Sequence, residues 1–388
     1  MTTAGTRTIG VVTVARSDFG IYIPVLQAIK AHPRLQAEVI ATGMHLSPEF
    51  GMTVDGITEA GFEVCHRVPS LADSEIPAGV AASMGQGVLG FAELFSQWRP
   101  DVLLVLGDRF DMIPAALAAL PFHIPVAHIH GGEVTEGAFD DALRHAITKF
   151  SHLHFVTTEE HGRRVRQLGE ESWRVTVSGA PGLDRLLAID RRARDATLTG
   201  LGLDPGRPFA LVTFHPPTME PGAAGSQAGE LVDALRALDL PCVITAPNAD
   251  PEHQAVRQVL EAYVTSAPAT ARWIENAGAT GYASLLAAAD VMLGNSSSGI
   301  IEAASFELPV VNVGDRQRGR TRAANVIDVA PERAAIEEAL RRALHPEFRE
   351  TLRGMQNPYG DGHASVRIAD RLASVDLSNV TIKRFQDC

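Results

Sequence analysis

A run of small hydroxyl residues late in the chain has the composition of an anion-binding turn. Residues 294–299 read GNSSSG, between the largely apolar stretch 289–293 and Ile-Ile-Glu302. This order predicts a strand, a turn and a helix start, where unpartnered backbone N–H groups, serine hydroxyls and the helix dipole attract a diphosphate. Glu302 would repel phosphates, so a neutral diol such as a ribose is its better partner. The run predicts a nucleotide diphosphate site, although an ordinary serine-capped helix also fits it.

Charged residues and imidazoles follow the apolar runs of the first half of the chain, in the segments 15–20, 107–111, 128–133 and 139–145. The candidates for chemistry there are Arg16, Asp108, Arg109, His130, Glu133 and Asp140. Carboxylates and imidazoles transfer protons, so this half is the candidate catalytic half. Structural alternatives stay open, because Asp108 is also compatible with a helix cap, Asp140 with a first-turn acid and Arg16 with a bridge between loop carbonyls.

The second half offers a different set of groups after its apolar runs. His215 is its candidate catalytic histidine because Pro216 and Pro217 stiffen the loop behind it, although a structural role is also compatible with its position. Arg316 and Arg320 lie in the segment GDRQRGR. Together with the serine hydroxyls they predict a diphosphate-binding site. This half therefore predicts a nucleotide-binding surface.

Several familiar site motifs are absent from the sequence. His128 and His130 alternate on one strand and lie in a histidine-rich region, but no HExxH or Cys/His spacing supports a metal site. The sequence also lacks GxGxxG after its first strand, GxxxxGK[ST] and GxSxG, which argues against the usual nicotinamide, P-loop and serine-hydrolase sites.

Short apolar runs alternate with longer amphipathic ones along the whole chain. The predicted strands are 8–14, 38–42, 102–106, 125–129, 152–156, 174–178, 209–213, 242–246, 291–293 and 310–313. Nearly continuous apolar strands separated by helices predict parallel sheets that are covered on both faces. The pattern loosens between residues 191 and 208, which predicts a hinge between two doubly wound domains. Ligands of such sheets bind beyond the carboxyl ends of the strands, where the candidate residues lie.

Composition and charge restrict the kinds of partner. The chain has 388 residues, enough for two domains, and a net charge of -12, which argues against broad nucleic-acid or anionic-membrane binding. Three scattered cysteines allow neither a disulfide framework nor a CxxC metal site, and no apolar stretch is long enough to span a membrane. We expect a cytoplasmic protein.

These ordered blocks resemble a known family, the hydrolysing UDP-N-acetylglucosamine 2-epimerases of bacterial sialic-acid biosynthesis and their relatives in legionaminic-acid biosynthesis. The likeness runs nearly end to end and includes ARSDF (15–19), GDRF (107–110), HIHGGE (128–133), RHAITK (144–149) and NPYGDG (357–362), besides the serine and arginine segments. It implies two Rossmann-like α/β domains that face each other across a cleft, the GT-B-like architecture. The domains would be 1–185, with a C-terminal helix in 364–388 packing back on it, and 186–363.

The resemblance also implies a mechanism and residue roles. Such enzymes remove the C2 proton, expel UDP to give a 2-acetamidoglucal, and add water with inversion at C2, without a metal or redox cofactor. Asp108, Asp140 and His215 match positions of proton transfer and sugar orientation, with the division between base and acid left open. The residues matched to UDP are Arg16, Asn248, Ser296, Ser297, Glu302 and Arg316, with Arg109 a further candidate near phosphate.

One block departs from part of the family. Non-hydrolysing relatives and the animal hydrolysing form carry a catalytic glutamate where this chain has His130, so that role does not transfer. His130 itself or Glu133 would then handle the proton, and the histidine at this position favours the bacterial hydrolysing branch.

The residues are compatible with more than one substrate. We expect UDP-N-acetylglucosamine, giving N-acetylmannosamine, with UDP-N,N'-diacetylbacillosamine, giving 2,4-diacetamido-2,4,6-trideoxymannose, as the alternative. A GT-B glycosyltransferase and a catalytically silent nucleotide-sugar sensor are the alternatives from other classes. Because members of this family typically form dimers or tetramers, the resemblance implies a homodimer or homotetramer.

Overall fold

The structure is a computed structural model, which describes residues 5–72, 76–135, 139–217, 222–247 and 252–387. The chain divides into two units, Met1–Arg185 together with Tyr359–Cys388, and Leu186–Pro358. Each unit is built on one parallel β-sheet with helical connections. The predicted α/β class, with two doubly wound sheets, is confirmed.

The sheet of the first unit has seven parallel strands in the order β3-β2-β1-β4-β5-β6-β7. The strands are β1 (Arg7–Thr13), β2 (Leu35–Thr42), β3 (Val64–Val68), β4 (Val102–Leu106), β5 (Val126–Ile129), β6 (Leu153–Val156) and β7 (Val175–Val177). Strand order reverses between β1 and β4, and such a switch point is where doubly wound sheets bind ligands.

The sheet of the second unit has six parallel strands in the order β10-β9-β8-β11-β12-β13. The strands are β8 (Ala210–Thr213), β9 (Cys242–Thr245), β10 (Ala271–Ile274), β11 (Val291–Gly294), β12 (Val310–Val313) and β13 (Val326–Val329). Its switch point lies between β8 and β11, directly before the serine segment.

Fifteen α-helices connect the strands in the described part of the chain. They are α1 (Arg16–Ala31), α2 (Asp55–Glu59), α3 (Pro77–Gln97), α4 (Ile113–Ala119), α5 (Asp140–Phe150), α6 (Glu159–Gln167), α7 (Pro181–Ala188), α8 (Arg194–Gly200), α9 (Ala224–Ala237), α10 (His253–Ser266), α11 (Gly278–Ala288), α12 (Ser297–Ile301), α13 (Arg333–Leu344), α14 (Pro346–Thr351) and α15 (Ala364–Ser374). None of these described helices is both long and apolar enough to cross a membrane.

The core of the first unit lies on both faces of its sheet. Alternate residues of β4 point to opposite faces, so Val102 and Leu104 pack with α1 and α15, whereas Leu103 and Val105 pack with α3 and α4. This double burial explains why the central strands read as continuous apolar runs.

The C-terminal segment is attached to the first unit by buried polar contacts. Arg174, which is 1% exposed, donates to the carbonyls of Val380 and Ile382. Lys149 and Lys383 lie 2.6 and 2.7 Å from Oε1 of Glu170, and His154 lies 3.0 Å from its Oε2. Burial alone would raise the pKa of Glu170, but hydrogen bonds from His154 and the two lysines outweigh it and lower the pKa to about 2.

All ten predicted strands are present, and three further strands were missed. The missed strands β3, β10 and β13 lie at sheet edges. Each contains a charged residue, Arg67, Arg272 or Asp328, so they lack the continuous apolar signal of the central strands.

Candidate active site

Asp108 lies directly after β4, where the chain turns away from the sheet. Gly107 has a φ of +73°, a left-handed conformation that glycine adopts without strain. The Asp108 carboxylate, 26% exposed, is paired with the guanidinium of Arg144 on α5, which is 5% exposed. A buried cation therefore faces this acid, which was predicted only from its place at a strand end.

Arg144 joins the loops at this end of the sheet. One terminal nitrogen donates to Oδ1 of Asp141 at 2.8 Å and to the carbonyl of Glu133 at 3.0 Å, and the other to Asp108 and to Oγ1 of Thr135 at 2.9 Å. A planar guanidinium can donate to acceptors in several directions from two nitrogens. The single nitrogen of an ammonium group cannot reach all four of these acceptors. Arg144 was not among the predicted site residues, although its spacing of one helical turn from Asp141 was a usable signal.

Asp140 begins α5 and lies near Asp108, Asp141 and Arg144. These four residues are called the acid cluster below. Burial raises its pKa, and the negative charge of Asp108 raises it further, while Arg109 and Arg144 act in the opposite direction. Asp108 and Asp140 thus form a neighbouring pair of carboxyl groups with different surroundings. Such a difference is how proteins separate a proton donor from a proton acceptor.

Arg109 is held by a buried acid that the sequence-based prediction missed. Its Nε donates to Oδ1 of Asp111 at 3.1 Å, and the Asp111 side chain is fully buried. Burial raises the pKa of Asp111, although the guanidinium partly counteracts this. The charge of Arg109 also lowers the pKa of Asp140, so Arg109 interacts electrostatically with the acid cluster.

His130 and Glu133 form a close pair in the turn after β5. Nδ1 of His130 lies 2.6 Å from Oε1 of Glu133, and Nε2 of His130 is buried without a hydrogen-bond partner in the described part of the chain. His130 has a φ of +67°, which is strained for a residue with a Cβ and is typical of functional sites. Gly132 follows with a φ of +78°, and a Cβ there would lie 2.4 Å from the carbonyl oxygen of His161.

The other central histidines of this sheet have structural partners. His128 lies 2.7 Å from the carbonyl oxygen of Gly107 through Nε2, and burial lowers its pKa to about 3. His152 accepts a hydrogen bond from the amide of Val126, and burial lowers its pKa to about 4. Among the residues that the structure describes, no three His, Cys, Asp or Glu side chains form a group that could hold a metal ion.

Arg16 stands apart from this cluster within the first unit. It begins α1 after β1 and is exposed. Within the described residues no hydrogen bond or ion pair joins it to Asp108, Asp140 or His130, so the structure places it at the same sheet edge without bringing it to them.

His215 in the second unit is fixed by a neighbouring strand end. The Asn295 side chain accepts from the His215 amide at 2.7 Å and donates to its carbonyl at 2.8 Å. Gly294 has a φ of +135°, and a Cβ there would lie 2.0 Å from the carbonyl oxygen of Thr213. The loops after β8 and β11 are therefore joined at the switch point by Asn295, which was not among the predicted site residues.

The serine segment forms the turn and helix start that its sequence predicts. Ser296 caps α12, with its Oγ accepting from the amide of Ser298, and Ser297 is the first helical residue. Ser298 donates to Oε2 of Glu302 at 2.5 Å, and the hydroxyl of Tyr282 lies 2.5 Å from Ser298 Oγ. Burial raises the pKa of Glu302, and the Ser298 hydrogen bond partly offsets this.

Arg316 lies beside the loop that carries His215. Its Nε donates to the carbonyl of Pro216 at 3.3 Å, and the adjacent Gln317 donates to the carbonyl of Asn295 at 2.8 Å. The segment after β12 is thus joined to the loops after β8 and β11. Asn248, a further predicted UDP-binding residue, lies outside the described residues.

The sequence also matches a known family model. A model described as UDP-N-acetylglucosamine 2-epimerase matches residues 27–373. A UDP-N,N'-diacetylbacillosamine 2-epimerase (hydrolyzing) from Legionella pneumophila is 38% identical over 380 residues, 97% of this chain and 98% of that protein. A GDP/UDP-N,N'-diacetylbacillosamine 2-epimerase (hydrolyzing) from Campylobacter jejuni is 33% identical over 383 residues, 98% of this chain and 99% of that protein.

A solved structure shares the fold. The crystal structure of UDP-GlcNAc 2-epimerase from Neisseria meningitidis bound to UDP-GlcNAc aligns with a TM-score of 0.75 at 21% identity, covering 94% of this chain and 99% of that one. At this identity the likeness concerns the fold alone.

Proposed function

Because the chain belongs to the UDP-N-acetylglucosamine 2-epimerase family, we propose that it is a hydrolysing 2-epimerase of a UDP-linked 2-acetamido sugar. A base takes the C2 proton, the C1–O bond breaks with its electron pair leaving on UDP, and a C1=C2 double bond forms. Water then adds its hydroxyl to C1, and a proton arrives at C2 from the opposite face. The products are UDP and the free 2-epimerised sugar.

The pair of unlike carboxyl groups carries this proposal. Asp108 faces the Arg144 cation, whereas the pKa of Asp140 is raised by burial and by Asp108. We assign proton donation at C2 to Asp140 because its surroundings favour the protonated form. Asp108 and His130 are assigned as the proton acceptors, because C2–H is a weak acid and requires a positioned base.

The second unit is assigned to the nucleotide. Ser296, Ser297 and Arg316 bind the diphosphate in this proposal, and their hydroxyl and guanidinium groups suit the charge that develops on the leaving UDP. Glu302 accepts hydrogen bonds from the ribose, and Asn248 completes the set. His215 orients the sugar from the loop that Asn295 and Arg316 contact.

The first unit adds two cations to these assignments. Arg109 interacts electrostatically with the acid cluster and is held by Asp111, so it is assigned to the phosphate nearest the reacting carbon. Arg16 is exposed at its sheet edge and forms no ion pair with any described residue, so it is assigned to an outer phosphate oxygen.

The preferred sugar is proposed from the relatives. Both diacetylbacillosamine 2-epimerases cover nearly the whole chain, at 38% and 33% identity, which supports UDP-N,N'-diacetylbacillosamine over the sequence-based expectation. UDP-N-acetylglucosamine is the second candidate, because the family model carries that description. The two sugars differ at C4 and C6, where a polar group left unpaired in a buried pocket would penalise the wrong substrate.

Proton NMR in D2O tests the reaction and the substrate together. The purified protein is given each UDP-sugar separately, without an acceptor. We expect UDP and a free sugar with inverted configuration and deuterium at C2, formed faster from UDP-N,N'-diacetylbacillosamine. Intact substrate in both samples would reject the epimerase, and turnover restored by an acceptor sugar would indicate a glycosyltransferase.

Asp140→Asn separates the two half-reactions. An amide cannot donate the C2 proton, so the variant should release UDP and accumulate the 2-acetamidoglucal. Inverted sugar formed at the wild-type rate would contradict the assignment of Asp140. Asp101→Asn is the control, because Asp101 lies before β4, at the opposite end of that strand from Asp108, and its carboxylate accepts from the amide of Thr8.

A further inference from the structure

A chain of hydrogen bonds extends from the His130–Glu133 pair to α6. Oγ1 of Thr157 lies 3.2 Å from Oε1 of Glu133, the oxygen that also faces His130. The same hydroxyl lies 2.6 Å from Nδ1 of His161. Thr157 and His161 are only 1% and 4% exposed, so bulk water does not compete for these contacts.

The direction of these bonds follows from the groups involved. An ionised carboxylate only accepts, so Thr157 must use its single hydroxyl proton on Glu133. The Thr157 oxygen can then only accept from His161, whose Nδ1 must carry a proton. His161 therefore donates at Nδ1, and burial, which lowers its pKa to about 4, keeps the ring neutral.

The same argument fixes the tautomer of His130. Oε1 of Glu133 accepts from Nδ1–H of His130, so in the neutral form of the ring the lone pair lies on Nε2. That nitrogen is buried and has no hydrogen-bond partner among the residues that the structure describes. A basic nitrogen without a partner is expected where the partner is a substrate proton.

The backbone reinforces the arrangement. The amide of His130 donates to the carbonyl of Phe155 at 3.1 Å, in the strand that leads to Thr157. Gly132 packs so closely on α6 that any Cβ would contact the carbonyl oxygen of His161 at 2.4 Å. The first turn of α6 thus contacts the strained His130 turn through backbone and side chains.

We propose that Thr157 and His161 are positioning residues, which hold the Glu133 carboxylate so that His130 is protonated at Nδ1 and offers Nε2 to the C2 proton. This inference rests on the proposed epimerase function. It assigns roles to two residues outside the predicted site.

Thr157→Val tests the proposal because valine keeps the shape of threonine and removes the hydroxyl. We expect kcat to fall about tenfold, the equivalent of one hydrogen bond, with KM and UDP affinity changed less than about threefold. Thr157→Ser should restore most of kcat. Thr42→Val is the matched control. Thr42 is also fully buried, but its hydroxyl donates to the carbonyl of Val68 and lies in hydrogen-bond contact with the hydroxyl of Ser70.

Nitrogen NMR of ¹⁵N-histidine-labelled protein gives a second readout that needs no turnover. The His130 signals are assigned by their loss in His130→Gln. We expect the Nδ1–H tautomer in wild type and in Thr42→Val, and a mixture of tautomers in Thr157→Val. A folded Thr157→Val protein with wild-type kcat, or with an unchanged His130 tautomer, would overturn the proposal.

The two measurements separate the two hypotheses. If wild type turns over neither UDP-sugar, the proposed function fails, whereas the tautomer comparison still decides whether Thr157 controls His130. If wild type is active and the tautomer does not respond to Thr157→Val, only the inference about Thr157 and His161 fails.

Discussion

Arg144→Lys probes the contact on which the proposed role of Asp108 depends. Arg144 uses two nitrogens to reach four acceptors on three segments, including Asp108, Asp141 and the loop at residues 133–135. Lysine keeps the charge but has one nitrogen, which cannot reach all four acceptors. We expect the ammonium group to remain near Asp141 and the contact with Asp108 to be lost.

The size of the effect follows from the burial of the pair. A charge-assisted hydrogen bond contributes about 1.5–3 kcal/mol, and the 26% exposure of Asp108 favours the lower part of that range. A loss of about 1.5–2 kcal/mol in transition-state stabilisation corresponds to a fall in kcat/KM of roughly 10- to 30-fold. Most of the fall should lie in kcat, because Asp108 is assigned to the reacting carbon and not to UDP.

The assay compares kcat/KM for the better UDP-sugar with thermal unfolding of the same samples. Arg174→Lys is the control, because Arg174 is a buried arginine of the same unit that bonds backbone carbonyls of the C-terminal segment. It should lose stability and keep its activity per folded molecule. An Arg144→Lys enzyme within threefold of wild-type kcat/KM would refute the argument, as would an equal activity loss in the control.

Three further predictions concern the nucleotide half and the stability of the first unit. Gly294→Ala should destabilise the protein by about 3 kcal/mol or more and weaken UDP binding in calorimetry, since its Cβ would lie 2.0 Å from the Thr213 carbonyl oxygen; unchanged UDP affinity would contradict this. Glu302→Gln should weaken UDP about tenfold while uracil binding stays constant, because the amide replaces charge-assisted bonds to a diol; equal UDP affinity would reject the ribose assignment. Glu170→Gln should lower the free energy of unfolding by about 2–3 kcal/mol at pH 7. Because the pKa of Glu170 is lowered from 4.5 to about 2 on folding, its contribution is full above pH 4.5 and should fade as pH falls towards 2, which denaturant titrations can follow; a difference independent of pH would be inconsistent.

The membership of the family was predictable from the sequence, and the match of residues 27–373 confirms it. The signal lay in many short blocks at matching separations, since any single block, such as the serine segment, also fits an ordinary capped helix. The exact sugar was not predictable, because its C4 and C6 contacts depend on side chains brought together from distant segments.

The sequence by itself determined the central strands and the residues at their carboxyl ends. Those strands are buried on both faces, so an apolar run of four or five residues identifies each one locally. Asp108 and His215 became candidates because each lies two residues after the end of such a run, at 106 and 213 respectively. The edge strands β3, β10 and β13 were missed because a charged residue interrupts the apolar run of each, Arg67, Arg272 and Asp328 respectively.

Only the tertiary structure decided which groups face one another. Arg144 lies 36 residues from Asp108, Asn295 lies 80 residues from His215, and Thr157 lies 24 residues from Glu133. These separations have no periodicity that a sequence window could detect, because they follow from strand order and from the packing of helices on the sheet. The local pattern fixes where a polar side chain emerges, whereas its partner, its tautomer and its protonation depend on the buried surroundings that the complete sheet creates.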